Sequence, residues 1–232
     1  MYKEWESILL KIPLFQSIQI DELQVMLACL KPVIRTYRKG DIVVLAGEPY
    51  HGVGMVLSGS VSIMKDTAAG SRILMGLVEK GQMFGEVAAF SESGEWPASV
   101  YAHEKSIVMF LPPHVIIGEC PRMCGSHRTM IVNMLKVISA RALNLNRQVE
   151  YMAIKTIRGK LAAYLLELHH KTGSHTFLLP VKRHELAQFF NVSRPSLSRE
   201  MKAMKEEGLI DYHMSSVRIQ DLTALNTLAE QG

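Results

Sequence analysis

Between Val33 and Pro112 the apolar residues fall in short runs instead of on a helical period: VIRTY, DIVVLAG, GVGMVLSGSVSIMK, SRILMGLVEK, PASVYAHE and SIVMFLP. Gly40, Gly47, Gly59, Gly70 and Gly81 separate them at nearly regular spacing. Runs of this length bounded by glycine predict an all-β unit of about eight strands, a sandwich, jelly roll or barrel. One stretch breaks the pattern. Gln82 to Phe90, QMFGEVAAF, reads as a short helix, and a pocket is expected to open there.

The flanking segments carry helical periods. Trp5, Ile8 and Leu9, then Leu23, Met26, Leu27 and Leu30 beyond the break at Pro13, form apolar patches that would cover a sheet. From Ser126 a long helix is predicted, in which Ile131, Leu135, Ile138, Ala142, Leu145, Val149 and Met152 alternate spacings of four and three. A seven-residue repeat of this kind is buried when two helices pair along it, so a parallel homodimer is expected; the alternative is a helix packed on its own β unit. A helix over Ile157 to His170 and a strand within His175 to Val181 follow.

Lys182 to Leu209 reads as two short helices joined by a tight turn. Leu186, Phe189 and Phe190 form the packing stripe of the first, outside which lie Lys182 and Arg183. Asn191, Val192 and Ser193 supply a residue tolerant of left-handed backbone, an apolar plug and a capping hydroxyl. The second helix starts near Ser193 or Arg194, because the residue before Pro195 avoids helical angles. Its apolar side is Leu197, Met201 and Met204; Pro195, Ser198, Arg199 and Lys202 lie on the other. A forked guanidinium matches guanine O6 and N7, and serine can pair with base or phosphate, so this polar face suits the major groove. The candidate DNA-binding set is Lys182, Arg183, Ser193, Arg194, Ser196, Ser198, Arg199 and Lys202, with Arg199 as base reader and Lys202 as anchor. The bland alternative is a helical hairpin with a solvated charged face. IDYHMSSVRI after Leu209 predicts a two-stranded wing turning at Ser215 and Ser216.

Composition, 48% hydrophobic and 21% charged, is that of a globular chain. No apolar run is long enough to span a membrane: the longest, Ile107 to Gly118, is broken by Pro112, Pro113 and His114. MYKEWESILLK is charged and amphipathic, unlike a signal peptide. Three scattered cysteines, Cys29, Cys120 and Cys124, fit a reducing compartment, and a cytoplasmic location is expected. Charge is uneven. Residues 1–125 hold 11 Lys and Arg against 13 Asp and Glu, and residues 126–232 hold 15 against 9, so the half with the hairpin is the basic one.

In their order and spacing, PLF at Pro13 to Phe15, DEL at Asp21 to Leu23, KGD at Lys39 to Asp41, GE at Gly47 and Glu48, LSGSV at Leu57 to Val61, FGE at Phe84 to Glu86, and SRPSLSRE resemble the Crp/Fnr superfamily of bacterial transcription regulators, the cyclic-AMP receptor protein and fumarate-nitrate regulator family. The resemblance spans nearly the whole chain. It implies an α+β fold: an N-terminal β-roll, a double-stranded jelly roll like a cyclic-nucleotide-binding domain, then a long dimerisation helix and a C-terminal winged helix-turn-helix. The expected domains are 1–125 for effector sensing, 126–153 for the dimer helix and 154–232 for DNA binding. The implied partners are a palindromic double-stranded operator, a second copy of the chain, a small-molecule effector and RNA polymerase. The family's reading face often runs Glu-x-x-Ser-Arg. Here Ser198 and Arg199 match it, Pro195 replaces the glutamate, and Arg194 matches the arginine just ahead of the pattern.

The resemblance also places an effector pocket at Phe84, Gly85, Glu86, Val87, Trp96 and Pro97, with Leu145 and Asn146 of the long helix. Nucleotide-binding relatives carry an Arg-Ser pair ten residues after the glutamate, where this chain has Trp96 and Pro97. An indole cannot pair with a phosphate and Pro97 has no amide donor, so cyclic AMP is not the expected effector. Arg72 or Lys80 reaching in from a neighbouring strand is the alternative source of charge. An iron-sulfur cluster lacks its four thiolates. Three further sensing chemistries stay open: a redox pair of Cys120 and Cys124 or a metal held by them with His127, haem ligation by His51, His103, His114 or His127, and an adaptable pocket of Met123, Met130 and Met134. An enzyme of the cupin kind is not expected, because no His-x-His or neighbouring His/Glu set occurs in residues 33–112. A ligand-binding adaptor with a protein-contacting hairpin is the remaining rival.

Overall fold

The computed structural model describes residues 2–66, 72–118 and 125–231. The chain divides into two compact units, residues 1–141 and 142–232. The division falls inside the long helix.

The first unit opens with short helical turns at Lys3–Trp5 and Pro13–Phe15 and the helices α1 (Glu6–Leu9) and α2 (Ile20–Leu30). Eight strands follow: β1 (Val33–Tyr37), β2 (Ile42–Val44), β3 (Val53–Ser58), β4 (Ser60–Asp66), β5 (Arg72–Glu79), β6 (Met83–Phe84), β7 (Ser99–Ala102) and β8 (Ser106–Leu111). They form two four-stranded antiparallel sheets, β1-β8-β3-β6 and β2-β7-β4-β5. Helix α3 (Pro113–Ile117) leads toward α4 (Gly125–Ala153).

Why β3 and β8 read as unbroken apolar runs is now plain, since both faces of their sheet are covered. Val56, Val108 and Phe110 face the inside of the roll with Val43, Val44, Val61, Val100, Phe84 and Trp96. Met55, Leu57, Met109 and Leu111 alternate with them and pack outward against Leu9, Leu14, Phe15, Leu23 and Leu27, and against Met130 and Met134 of α4. The two methionines are thus core, not an adaptable pocket; Met123 lies outside the described residues. Ser126 Oγ donates to Glu22 Oε2 at 2.8 Å, and Asn133 Nδ2 donates to the carbonyls of Leu14 and Gln16 at 3.2 and 2.7 Å, fastening α4 to the N-terminal turns.

Gln82–Phe90 is not a helix. Its first part pairs as β6, and Gly85 then takes a left-handed φ of 81°, which no α-helix passes through. The Ala88 and Ala89 amides both donate to the Gly85 carbonyl, closing a turn.

The second unit continues α4 and adds α5 (Ile157–Thr172), β9 (Thr176–Leu178), α6 (Arg183–Phe189), α7 (Arg194–Glu206), β10 (Ile210–His213), β11 (Ser216–Ile219) and α8 (Leu222–Gln231). Leu161, Leu165, Leu186, Phe190, Leu197, Met201, Met204, Ile210, Val217 and Leu225 form one core. The wing is a sheet of order β10-β11-β9, one strand wider than the expected pair. Ser216 pairs with His213, which moves the hairpin turn to Met214 and Ser215, and Met214 takes the left-handed φ of 53°. Sequence reasoning missed α8. Its signal was present in Leu222, Leu225 and Leu228 at three-residue spacing behind Asp221, whose carboxylate accepts from the Ala224 amide at 2.9 Å.

Candidate functional site

The helix pair is built as the sequence led one to expect. Asn191 is left-handed at φ 53°, Val192 packs against the core from a half-buried position, and Ser193 caps α7, its Oγ accepting from the Ser196 amide at 3.2 Å. Helix α7 begins at Arg194 with Pro195 in its first turn, where the missing amide costs nothing. Glu185 Oε2 accepts from the Lys182 amide at 2.6 Å at the start of α6.

With Leu197, Met201 and Met204 buried, the opposite side of α7 is left to Arg194, Pro195, Arg199 and Lys202, all exposed, with Ser196 and Ser198 half-buried between them. Arg199 Nη2 donates to Ser196 Oγ at 3.4 Å, a long contact that leaves the fork free to engage a base edge. Lys202 lies 3.4 Å from Glu206 in an exposed pair of little energetic weight. Arg183 is placed differently. Its guanidinium stacks on the Tyr212 ring at 4.6 Å and reaches the Met214 carbonyl at 3.4 Å, bracing the wing turn.

Three supporting clusters could not be read from local pattern, because all their partners but Lys171, one turn from Glu167 on α5, lie far along the chain. Arg158, at the start of α5, donates from both terminal nitrogens to Glu207 at 2.8 Å and from Nε to Glu200 at 2.6 Å, which raises its already high pKa. Lys160, buried, donates from Nζ to the Phe190 carbonyl at 3.1 Å, satisfying the end of α6. Glu167 of α5 accepts from Arg147 at 2.9 and 2.8 Å, Tyr151 at 2.9 Å and Lys171 at 2.7 Å. Burial pushes the Glu167 carboxyl up, but these three donors outweigh it and hold it below the usual range.

In the first unit the roll interior is filled with rings. Trp96, 3% exposed, lies 4.5 Å from Tyr50, 5.6 Å from His51 and 6.0 Å from Phe84 between ring centroids, and its Nε1 donates to His51 Nδ1 at 3.3 Å. Gly85 sits directly against it: a Cβ at that position would come within 2.6 Å of Trp96 Cζ3. The Tyr50 hydroxyl donates to the Gly85 carbonyl at 2.8 Å, and burial and then Glu86 push its pKa up, so it stays protonated. Glu86 is buried. Its Oε1 accepts from Arg141 Nε of α4 at 2.8 Å, while Oε2 has no partner among the described residues.

Of the expected pocket residues, Phe84, Gly85 and Trp96 thus meet, Glu86 adjoins them, and Val87 and Pro97 are exposed. Leu145 and Asn146 occupy exposed positions on α4 in the second unit. Neither alternative cation enters the roll: Arg72 pairs with Asp66 at 3.2 Å and lies over the Tyr101 ring, and Lys80 is exposed. His127 is buried with Nε2 2.8 Å from the Ile116 carbonyl, whereas His103 and His114 are exposed and stand apart. Cys120 and Cys124 lie outside the described residues, among which no group of three His, Cys, Asp or Glu could hold a metal.

On α4, Leu135, Leu145 and Val149 are 60, 56 and 67% exposed in the single chain, Ala142 and Met152 are exposed as well, and Ile131 is half-buried. Ile138 departs from the expected seam, since it packs partly against the core of the first unit.

Residues 34–121 match the family description of a cyclic nucleotide-binding domain, and residues 159–228 that of a Crp-like helix-turn-helix domain. The chain is 24% identical to the cyclic AMP receptor protein of Thermus thermophilus over 94% of this chain and 96% of that one. It is 20% identical to the global nitrogen regulator of Nostoc sp. over 88% and 92% of the two chains. The crystal structure of the Thermus thermophilus catabolite activator protein superposes with a TM-score of 0.53 at 22% identity, covering 94% of this chain and 99% of that one, a likeness of fold.

Proposed function

Because the chain belongs to the Crp/Fnr superfamily of transcription regulators, with an effector-type domain and a DNA-binding helix-turn-helix, we propose that it works as a homodimer whose β-roll senses an effector other than a cyclic nucleotide and thereby sets operator binding. Arg199 reads a base in each half-site, Arg194, Ser196 and Ser198 share base and phosphate contacts, and Lys182 and Lys202 anchor the backbone. The exposed stripe of Leu135, Ala142, Leu145, Val149 and Met152 is the seam between the two copies, and RNA polymerase is the partner through which DNA binding acts on transcription.

The observation that carries the effector reading is the buried Trp96 ring against Gly85. Where a phosphate would need a fixed cation or an amide, this chain has an indole in an aromatic interior, and an unpaired anion there costs several kcal/mol. Glu86 Oε2, buried without a partner among the described residues, is a polar atom left to accept from a ligand's hydroxyl or amine. Calorimetry of the full-length protein with cyclic AMP and cyclic GMP is expected to show no binding at micromolar concentrations. Micromolar affinity for either would overturn this reading of Trp96.

A further inference from the structure

Although the roll is filled at its centre, it has a recess at its edge, of about 330 Å³, lined by Val33, Arg35, His51, Phe110 and Pro112. Strand register explains the lining. Val33 pairs with Phe110 and Arg35 with Val108, so on β1 these two side chains share the face of Phe110, the inner face of the sheet, at the end where β1 is uncovered. The His51 ring stands 4.8 Å from that of Phe110 and is held by the Trp96 Nε1 bond, which makes Nδ1 the acceptor and leaves Nε2 as the donor of the neutral ring. Burial lowers the pKa of His51, so its ring is neutral at neutral pH and Arg35 is the lasting cation of the recess. Among the described residues Arg35 makes no ion pair.

The geometry points to this recess as a binding site for a small aromatic monocarboxylate, its ring between Phe110, His51, Val33 and Pro112 and its carboxylate on Arg35. The volume stands at the lower end of what small-molecule pockets span, which favours a single-ring acid. A guanidinium takes a carboxylate bidentately, and the tilted aromatic rings offer faces and edges to a flat ligand. No residue of the site belongs to the DNA-reading surface. The recess lies one hydrogen bond from Trp96, so occupancy reaches the packed centre of the roll through His51. This deepens the effector reading and rests on it only for the link to DNA.

Benzoate is the probe, with benzamide as its neutral counterpart. The readout is calorimetry together with the fluorescence of Trp96 in a Trp5→Phe background, since Trp5 is the chain's other tryptophan. Benzoate is expected to bind and change Trp96 emission, with benzamide at least about tenfold weaker, a difference of about 1.4 kcal/mol. Arg35→Gln should remove that preference and Arg35→Lys should keep part of it. No saturable benzoate binding, or equal binding by Arg35→Gln, would overturn the site. Binding that leaves operator affinity unchanged would uphold the site and sink only its role as effector.

Discussion

Arg199 and Lys202 lie nearly one turn apart on the same exposed side of α7, yet they should fail in different ways. Arg199→Ala removes a forked base contact and is expected to weaken specific binding by about 1–3 kcal/mol while relaxing preference at one base pair per half-site. Equal weakening on operator and random duplex would contradict that role. Lys202→Ala should lower affinity on every sequence and flatten the salt dependence, as the loss of a phosphate contact does; an unchanged slope would reject it. The polar side that carries both residues was legible from spacing alone, because the helix period separates it from Leu197, Met201 and Met204. What Arg183 does was not legible. Its partner is the Tyr212 ring on a strand that folds back beneath it, and nothing near Arg183 in sequence announces that.

Among the elements, α7 is held on α5 by charge as well as by its apolar side. Arg158 pairs with Glu200 and Glu207 and offsets one of their two negative charges, which would otherwise repel phosphate more strongly from α7. Arg158→Met is therefore expected to reduce DNA affinity on all sequences, and adding Glu200→Gln with Glu207→Gln should restore most of it. Failure of the added substitutions to restore affinity in a folded protein would mean the arginine acts only as structural glue. For the dimer, Leu135→Asp with Val149→Asp is the sharper test, since Ile138 already packs partly on its own unit. Two charges in an apolar seam should give monomers that bind DNA poorly, and sedimentation of an intact dimer would place the interface elsewhere. The heptad was visible because it recurs over many turns. The turn at Gly85 was mistaken for a helix because Val87, Ala88 and Ala89 are neutral to the distinction, and the left-handed glycine that decides it has no side-chain signature.

Across the molecule, most of the order of elements could be read from strand runs, glycine spacing and helical periods. The interior of the roll could not. Trp96 and Pro97 stand where the resemblance expects an Arg-Ser pair, but which way the indole turned depended on Tyr50 and His51, far back along the chain, and on Phe84. That packing has a bearing on descent. Emptying a tryptophan site costs about 3–5 kcal/mol, against a total stability of about 5–15 kcal/mol for a typical domain. An ancestor or descendant with arginine at position 96 would have to place a cation among these rings and leave part of the space beside Gly85 vacant. Putting a guanidinium at position 96 therefore asks for more than one substitution, since Tyr50, His51 or Phe84 must shift with it.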